Sequence, residues 1–421
     1  MMRWIVLMLL FSPAILRAYP LDGFDYTGIG RLEGYRLAQE GKVRARKLHP
    51  GAQLPLADVD IRLRDHRELE IPPVDPAFKR EIMALLGKNA SRYSISILDL
   101  TDPDNPVYAE HRANKSFNPG SIGKLVVAMG IFNELARAFP DDTELREAIL
   151  RSTEVVADRF IHVDTHKVPF WHAEKMWLEH RPLRIGDKAS LWEWLDWMLS
   201  PSSNAAASIV MKQLMLLQKL GQGYPGFPED ARDYFDKTKP AELAKDLRRV
   251  LDRAVTENGL TLDELRQGGF FTREGKRRVP TGGSRATVRG LMKFLLRLEQ
   301  GKIVDDWSSR EFKRLLYMTQ KRIRYASSPA LKYAAVYFKS GSLYKCRPEP
   351  GFTCGKYRGN KLNLLNSVAI IEHPAGQKKG LHYLVVVSSN VLKENAAVAH
   401  QSLATFIQRL MLKRHPEIPK K

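Results

Sequence analysis

Two periodicities alternate along the chain. Tyr93-Ser94-Ile95-Ser96-Ile97-Leu98-Asp99-Leu100 has strand character, and a turn over Thr101–Pro106 leads into Val107-Tyr108-Ala109-Glu110, so a hairpin is predicted. Tyr333-Ala334-Ala335-Val336-Tyr337-Phe338 is a further strand, rich in aromatic and β-branched residues, with others expected near 365–373 and 381–389. Between these lie helical patterns. Leu125, Val126, Val127, Met129, Ile131, Phe132 and Leu135 predict a largely buried helix beginning at Ser121. Leu191–Leu199 and Ala205–Val210 predict two buried helices joined by a tight turn, and Leu243, Leu247, Leu251 and Ala254 recur at helical spacing inside an insert from 221 to 278. Helices are also expected over 76–87 and 395–413, the second burying Leu403, Phe406, Ile407, Leu410 and Met411. The pattern is that of an α/β (α+β) protein: an antiparallel sheet flanked by helices, a mainly helical subdomain over about 112–325, and a cleft between them.

Three short motifs fall where these elements would meet the cleft. Ser121-Ile122-Gly123-Lys124 opens the buried helix, so hydroxyl and amine share one face, and the helix start offers a backbone N–H and partial positive charge to an oxyanion. A lysine kept from water and near other cations loses its proton readily and can act as base for the serine. Ser202-Ser203-Asn204 lies in the turn between the two helices, presenting Ser202 and Asn204. Lys339-Ser340-Gly341 ends the strand, placing Lys339 at the cleft and the N–H of Ser342 opposite that of Ser121. A second Ser-x-x-Lys, Ser342 to Lys345, is followed by Cys346, Arg347 and Pro348 rather than a helix, and is discounted.

In these motifs and their order the chain resembles the serine β-lactamase and penicillin-binding protein (DD-peptidase-like) superfamily, nearest its class A β-lactamase branch. The hairpin ahead of Ser121, the stretch Leu183-Arg184-Ile185-Gly186-Asp187 and the late helix Ala286–Leu295 extend the likeness over roughly residues 75–415. The resemblance implies Ser121 as acylated nucleophile, Lys124 as its activator and Ser202 as a proton shuttle. It implies Asn204 on the substrate amide, Lys339 and Ser340 on a carboxylate beside Gly341, and Ser121 and Ser342 N–H groups as oxyanion hole. The expected substrates are β-lactams or D-alanyl peptidoglycan peptides, with no cofactor. The chain departs from class A in one respect that matters most: no Glu-x-x-x-Asn lies between Asn204 and Lys339, and Glu264 and Glu274 are the candidate stand-ins, though each fits a solvated charge better. That weighs against fast deacylation and leaves open a slow-turnover penicillin-binding sensor or trap, or a non-catalytic cell-wall binder.

Composition adds context. Residues 1–18 carry Arg3, an apolar stretch from Trp4 to Leu16 and Ala18, the pattern of a secretory signal or retained anchor, which implies a bacterial periplasm. The two cysteines, Cys346 and Cys354, flank a turn-rich segment and in that compartment are expected to pair. The net charge of +20 comes without any nucleic-acid-binding signature, so it points to anionic cell-wall polymers, a membrane surface, or simple solubility. Residues 19–74 form an N-terminal extension expected to be an extended arm with one short helix at most. His162, His166 and His172 have the spacing of a zinc-protease triad, but Val163 stands where the catalytic Glu should be and Pro169 where the turn needs Gly. No metal is expected there. A surface loop near the cleft is, with Trp171 and Trp177 beneath it or stacking on ligand.

Overall fold

The hairpin begins a five-stranded antiparallel sheet in a computed structural model that describes residues 22–44, 47–317 and 322–420. The expected signal segment, 1–18, lies outside the described residues. The sheet comprises β1 (Tyr93–Asp99), β2 (Val107–His111), β3 (Ala335–Lys345), β4 (Leu362–His373) and β5 (Leu381–Asn390), in the spatial order β2-β1-β5-β4-β3. Strand β3 is therefore an edge, and its register with β4 pairs Lys339 with Val368 and Gly341 with Asn366.

Helices α1 (Gly30–Gln39), α2 (Pro76–Leu86), α3 (Lys124–Ala138), α4 (Leu191–Leu199), α5 (Asn204–Leu220), α6 (Pro240–Thr256), α7 (Val288–Glu299), α8 (Asp306–Tyr317) and α9 (Ala396–Arg414) complete the frame. One sheet face is covered by α2 and α9, whose Phe78, Ile82, Leu403, Ile407 and Met411 pack on Ile95, Ile371 and Val385. The α9 stripe differs from expectation. Phe406 is 45% exposed and Leu410 only partly buried, while His400, Ala404 and Gln408 are buried beside Leu403 and Ile407. The cause is polar bridging across strands: the His400 ring bonds Ser367 Oγ (2.9 Å) and Ser389 Oγ (2.8 Å), which turns that side of the helix inward. The other sheet face joins the core of the helical part through Leu98, Val368, Ile370 and Val386. Helix α6 buries Leu243, Leu247, Leu251 and Ala254 as the spacing predicts.

Residues 22–74 differ most from expectation. They are not an extended arm: α1 and a series of 3₁₀ turns lie against the helical core, burying Ile29, Leu32, Leu54, Val59 and Leu63. Arg31, 1% exposed, forms a two-pronged ion pair with buried Asp196 on α4 (Nε to Oδ2 2.6 Å, Nη2 to Oδ1 2.5 Å). Gly34 of α1 allows close approach, since a Cβ there would lie 2.8 Å from the Trp171 ring. Trp171 thus packs beneath α1, while Trp177 is 58% exposed at a hairpin tip.

Candidate active site

The nucleophile turn is tighter than an α-helix start. Gly120–Gly123 forms a 3₁₀ turn and α3 begins at Lys124. In a 3₁₀ turn residues three apart eclipse one another, which stacks Lys124 directly on Ser121. The approach of β3 fixes the turn from outside. A Cβ at Gly341 would come within 2.3 Å of the Pro119 carbonyl and 2.8 Å of the Ser121 nitrogen, so this position has no room for a side chain. Asn366, opposite Gly341 on β4, donates from Nδ2 to the carbonyls of Asn118 (3.0 Å) and Pro119 (3.3 Å). The strand edge thereby clamps the turn and sets the Ser342 backbone nitrogen beside Gly120.

Between α4 and α5, Ser202 adopts φ 64°, a left-handed conformation that non-glycine residues hold only where surroundings enforce it. Ser203 caps α5, accepting from Ala206 N–H (3.1 Å). The three motifs meet at Lys124, whose Nζ lies 3.1 Å from Ser121 Oγ and donates to the Ser202 carbonyl (2.6 Å) and Asn204 Oδ1 (2.8 Å). As a neutral amine it has two N–H groups for those oxygens and a lone pair left for the Ser121 hydroxyl proton. Lys339 Nζ donates to Ser202 Oγ (2.7 Å), and Lys124 Nζ stands 3.3 Å from the same oxygen, so one hydroxyl bridges both amines. Those two contacts put the amines no more than about 6 Å apart, where two full charges would repel by at least about 3 kcal/mol at an effective dielectric of about 20.

Burial is the main force acting on Lys124: it pushes the ammonium down to about 7, helped by the Arg324 charge and opposed by Asp164. Burial also holds Lys339 well below the ordinary lysine range, with Lys124 and Arg324 adding to it.

Two charged residues escape motif reading. Arg324 donates to Ser340 Oγ (2.7 Å), Ser342 Oγ (3.2 Å) and Tyr357 Oη (2.9 Å), adding a guanidinium to the third motif. Asp164 accepts from Ser203 Oγ (2.8 Å) and Ala205 N–H (2.9 Å), and from the ring of His166. Burial works against its ionisation, but the His166, Ala205 and Ser203 contacts win and keep the carboxyl well below its usual range. Nothing in the local sequence marks Arg324, and Asp164 lies inside the histidine spacing that mimics a metal motif. Phe271 was equally unmarked; its ring centroid stands 5.0 Å from Lys124 Nζ.

The remaining candidates sort plainly. Glu264 is engaged by Lys293 (2.7 Å) and Thr261 (3.0 Å), and Glu274 by Arg277 (2.7 Å) and Arg278 (2.6 Å), and neither is hydrogen-bonded to Ser121 or Lys124. Ser342 and Lys345 sit on strand β3, where residues three apart face opposite ways. Cys346 and Cys354 form the expected disulfide. The histidines share no helix: His162 is exposed after a 3₁₀ turn, His166 pairs with Asp164, and His172 ends a hairpin strand bonded to Glu179 (3.1 Å). Among the described residues the group close enough to share a metal is instead Glu299, Glu372 and His382, and the Lys313 ammonium already bridges its two carboxylates.

The sequence pattern of the beta-lactamase enzyme family matches residues 77–405. The chain belongs to that family. Solved structures agree in fold. PBP-A is 12% identical, with a TM-score of 0.51 over 82% of this chain and 100% of its own. A beta-lactamase from Chitinophaga pinensis is 14% identical, with 0.51 over 80% and 99%, and TLA-3 extended-spectrum beta-lactamase is 12% identical, with 0.52 over 80% and 98%. At such identities the likeness speaks for the fold alone. No curated protein matches the chain by sequence.

The electrostatics of this beta-lactamase-family cleft make a pH prediction. If the uncharged Lys124 is the working base, acylation of Ser121 rises about tenfold per pH unit below about 7 and levels off above it. Asp164→Asn removes the charge that raises the Lys124 value, so the limb moves to lower pH. Arg324→Gln removes one that lowers it, so the limb moves to higher pH. Single-turnover acylation across pH 5–9, read by quenched mass spectrometry, checks both directions.

Proposed function

We propose that the protein is an exported serine acyl-hydrolase that forms an ester on Ser121 with β-lactams or with D-alanyl peptides of peptidoglycan. The observation that carries this reading is the buried Lys124 amine, 3.1 Å from Ser121 Oγ, whose pKa burial brings down to about 7. Neutral Lys124 takes the hydroxyl proton as Oγ attacks the acyl carbon, and the oxyanion forms between the N–H groups of Ser121 and Ser342. Ser202, bridging the two amines, passes a proton to the leaving nitrogen, completing ester formation as the C–N bond breaks. Asn204 holds the substrate amide, and Lys339, Ser340 and Arg324 hold its carboxylate. Export rests on the signal-like residues 1–18.

Release of the ester needs an activated water. Among the described residues no carboxylate is hydrogen-bonded to Ser121 Oγ or Lys124 Nζ, and an aromatic ring, Phe271, faces the amine instead. This supports slow deacylation, as in a peptidase or a penicillin-binding trap, over fast β-lactam turnover. A chromogenic cephalosporin is therefore expected to give a burst equal to the enzyme concentration, then a slow steady rate. Rapid linear turnover without a burst would contradict slow deacylation.

A further inference from the structure

Beyond the third motif, β3 runs on from Ser342 to Lys345 and leads into the loop closed by the Cys346–Cys354 disulfide. A concavity of about 590 Å³ there is lined by Lys345, Cys346, Arg347 and Lys361. All three cations are exposed, and none has a carboxylate partner among the described residues. Glu349, close enough to Lys361 to feel its charge, is already paired with Lys393 (2.5 Å). The backbone beneath is fixed. Asn360 bonds both the N–H (2.9 Å) and the carbonyl (2.7 Å) of Arg347, and Lys361 N–H donates to the Lys345 carbonyl (3.1 Å). Like charges held together on a braced loop cost free energy unless an anion offsets them.

The concavity also has a definite place along the substrate path. On the reading proposed above, the substrate carboxylate lies at Lys339, Ser340 and Arg324, and its reacting carbonyl at the Ser342 N–H. Continuing in the same direction, the acyl portion passes Tyr344, whose ring meets that of Tyr357 at 6.0 Å, and reaches Lys345. At about 3.4 Å per residue, Ser342 to Lys345 spans roughly 10 Å. We infer that Lys345, Arg347 and Lys361 form a second anion subsite, selecting acyl donors that carry a negative charge, such as a side-chain carboxylate, roughly 10 Å from the reacting carbonyl. The inference rests on the acyl-transfer reading and names the substrate class within it: a donor with two anionic ends flanking the scissile bond.

The test uses two penicillins of equal shape, one with an adipoyl side chain ending in a carboxylate and one with the corresponding terminal amide. Second-order acylation of the full-length mature protein is followed by intact mass. The acid is expected to react at least about tenfold faster at low salt, with the preference shrinking at 0.5 M NaCl. In a Lys345→Ala, Arg347→Ala, Lys361→Ala variant the preference falls to near one while the amide reacts at the wild-type rate, which also reports an intact fold. Equal rates in the wild type, or a preference that ignores salt and survives in the variant, overturn the subsite and leave the acyl-transfer reading standing. Failure of both penicillins to acylate the wild type overturns that reading and the subsite with it.

Discussion

Lys124→Ala is expected to slow acylation of Ser121 by about 10³-fold, within the range of roughly 10² to 10⁴ that a positioned general base supplies. The argument lies in the bonding of Nζ. It touches the nucleophile and both ends of the second motif, and burial brings its pKa down to about 7, so that near neutral pH a large share of the amine has its lone pair free. Alanine removes the base and leaves the Ser202 carbonyl and Asn204 amide without a donor. Lys124→Arg is the sharper control, because a guanidinium fills the volume and donates hydrogen bonds but does not give up its proton. Both variants should bind penicillin and acylate slowly. Stopped-flow acylation rates, with circular dichroism to confirm folding, make the comparison. A near-wild-type rate for Lys124→Arg would show that Lys124 only donates and that the proton leaves by another path.

Asp196→Ala is expected to destabilise the protein by about 3–5 kcal/mol, the usual cost of breaking a buried ion pair by removing one partner. Arg31 and Asp196 are 1% and 2% exposed at the side chain, so water does little to make up for the carboxylate that the substitution removes. The pair ties α1, which precedes the family match, to α4, which leads into the Ser202 turn. The loss should therefore appear in activity as well as in stability. Equilibrium urea unfolding of Asp196→Ala and of Arg31→Met/Asp196→Leu separates the contributions, the double variant recovering part of the loss. A change below about 1 kcal/mol in Asp196→Ala would mean that residues 22–74 are not integral to the fold.

The three motifs of the candidate site were legible because the residues of each are close in sequence. Ser121 and Lys124 are three residues apart, Ser202 and Asn204 two, and Lys339 to Ser342 a single strand end, so each motif can be picked out from neighbouring residues and the family resemblance. The strands from 93 to 111 were equally plain, since alternating apolar residues around a turn rich in Asp and Pro leave few other folds. What was not legible depends on partners distant in sequence. Arg31 meets Asp196 across 165 positions, and the glycines of α1, which weaken a helix read in isolation, make sense only once Trp171 is packed against Gly34. Arg324 reaches Ser340 from a segment without any pattern, and Asp164 finds Ser203 from a loop whose histidines suggest another chemistry. The misplaced Phe406 has the same origin: apolar spacing cannot reveal that His400 is held inward by two serines on the sheet.

Brief incubation of the wild type and Ser121→Ala with benzylpenicillin, followed by intact-protein mass spectrometry, tests the central claim most directly. The account predicts one covalent penicilloyl adduct that persists on the wild type and is missing from Ser121→Ala. An adduct on both proteins, or neither adduct nor opened penicillin from the wild type, would contradict an acyl-enzyme on Ser121.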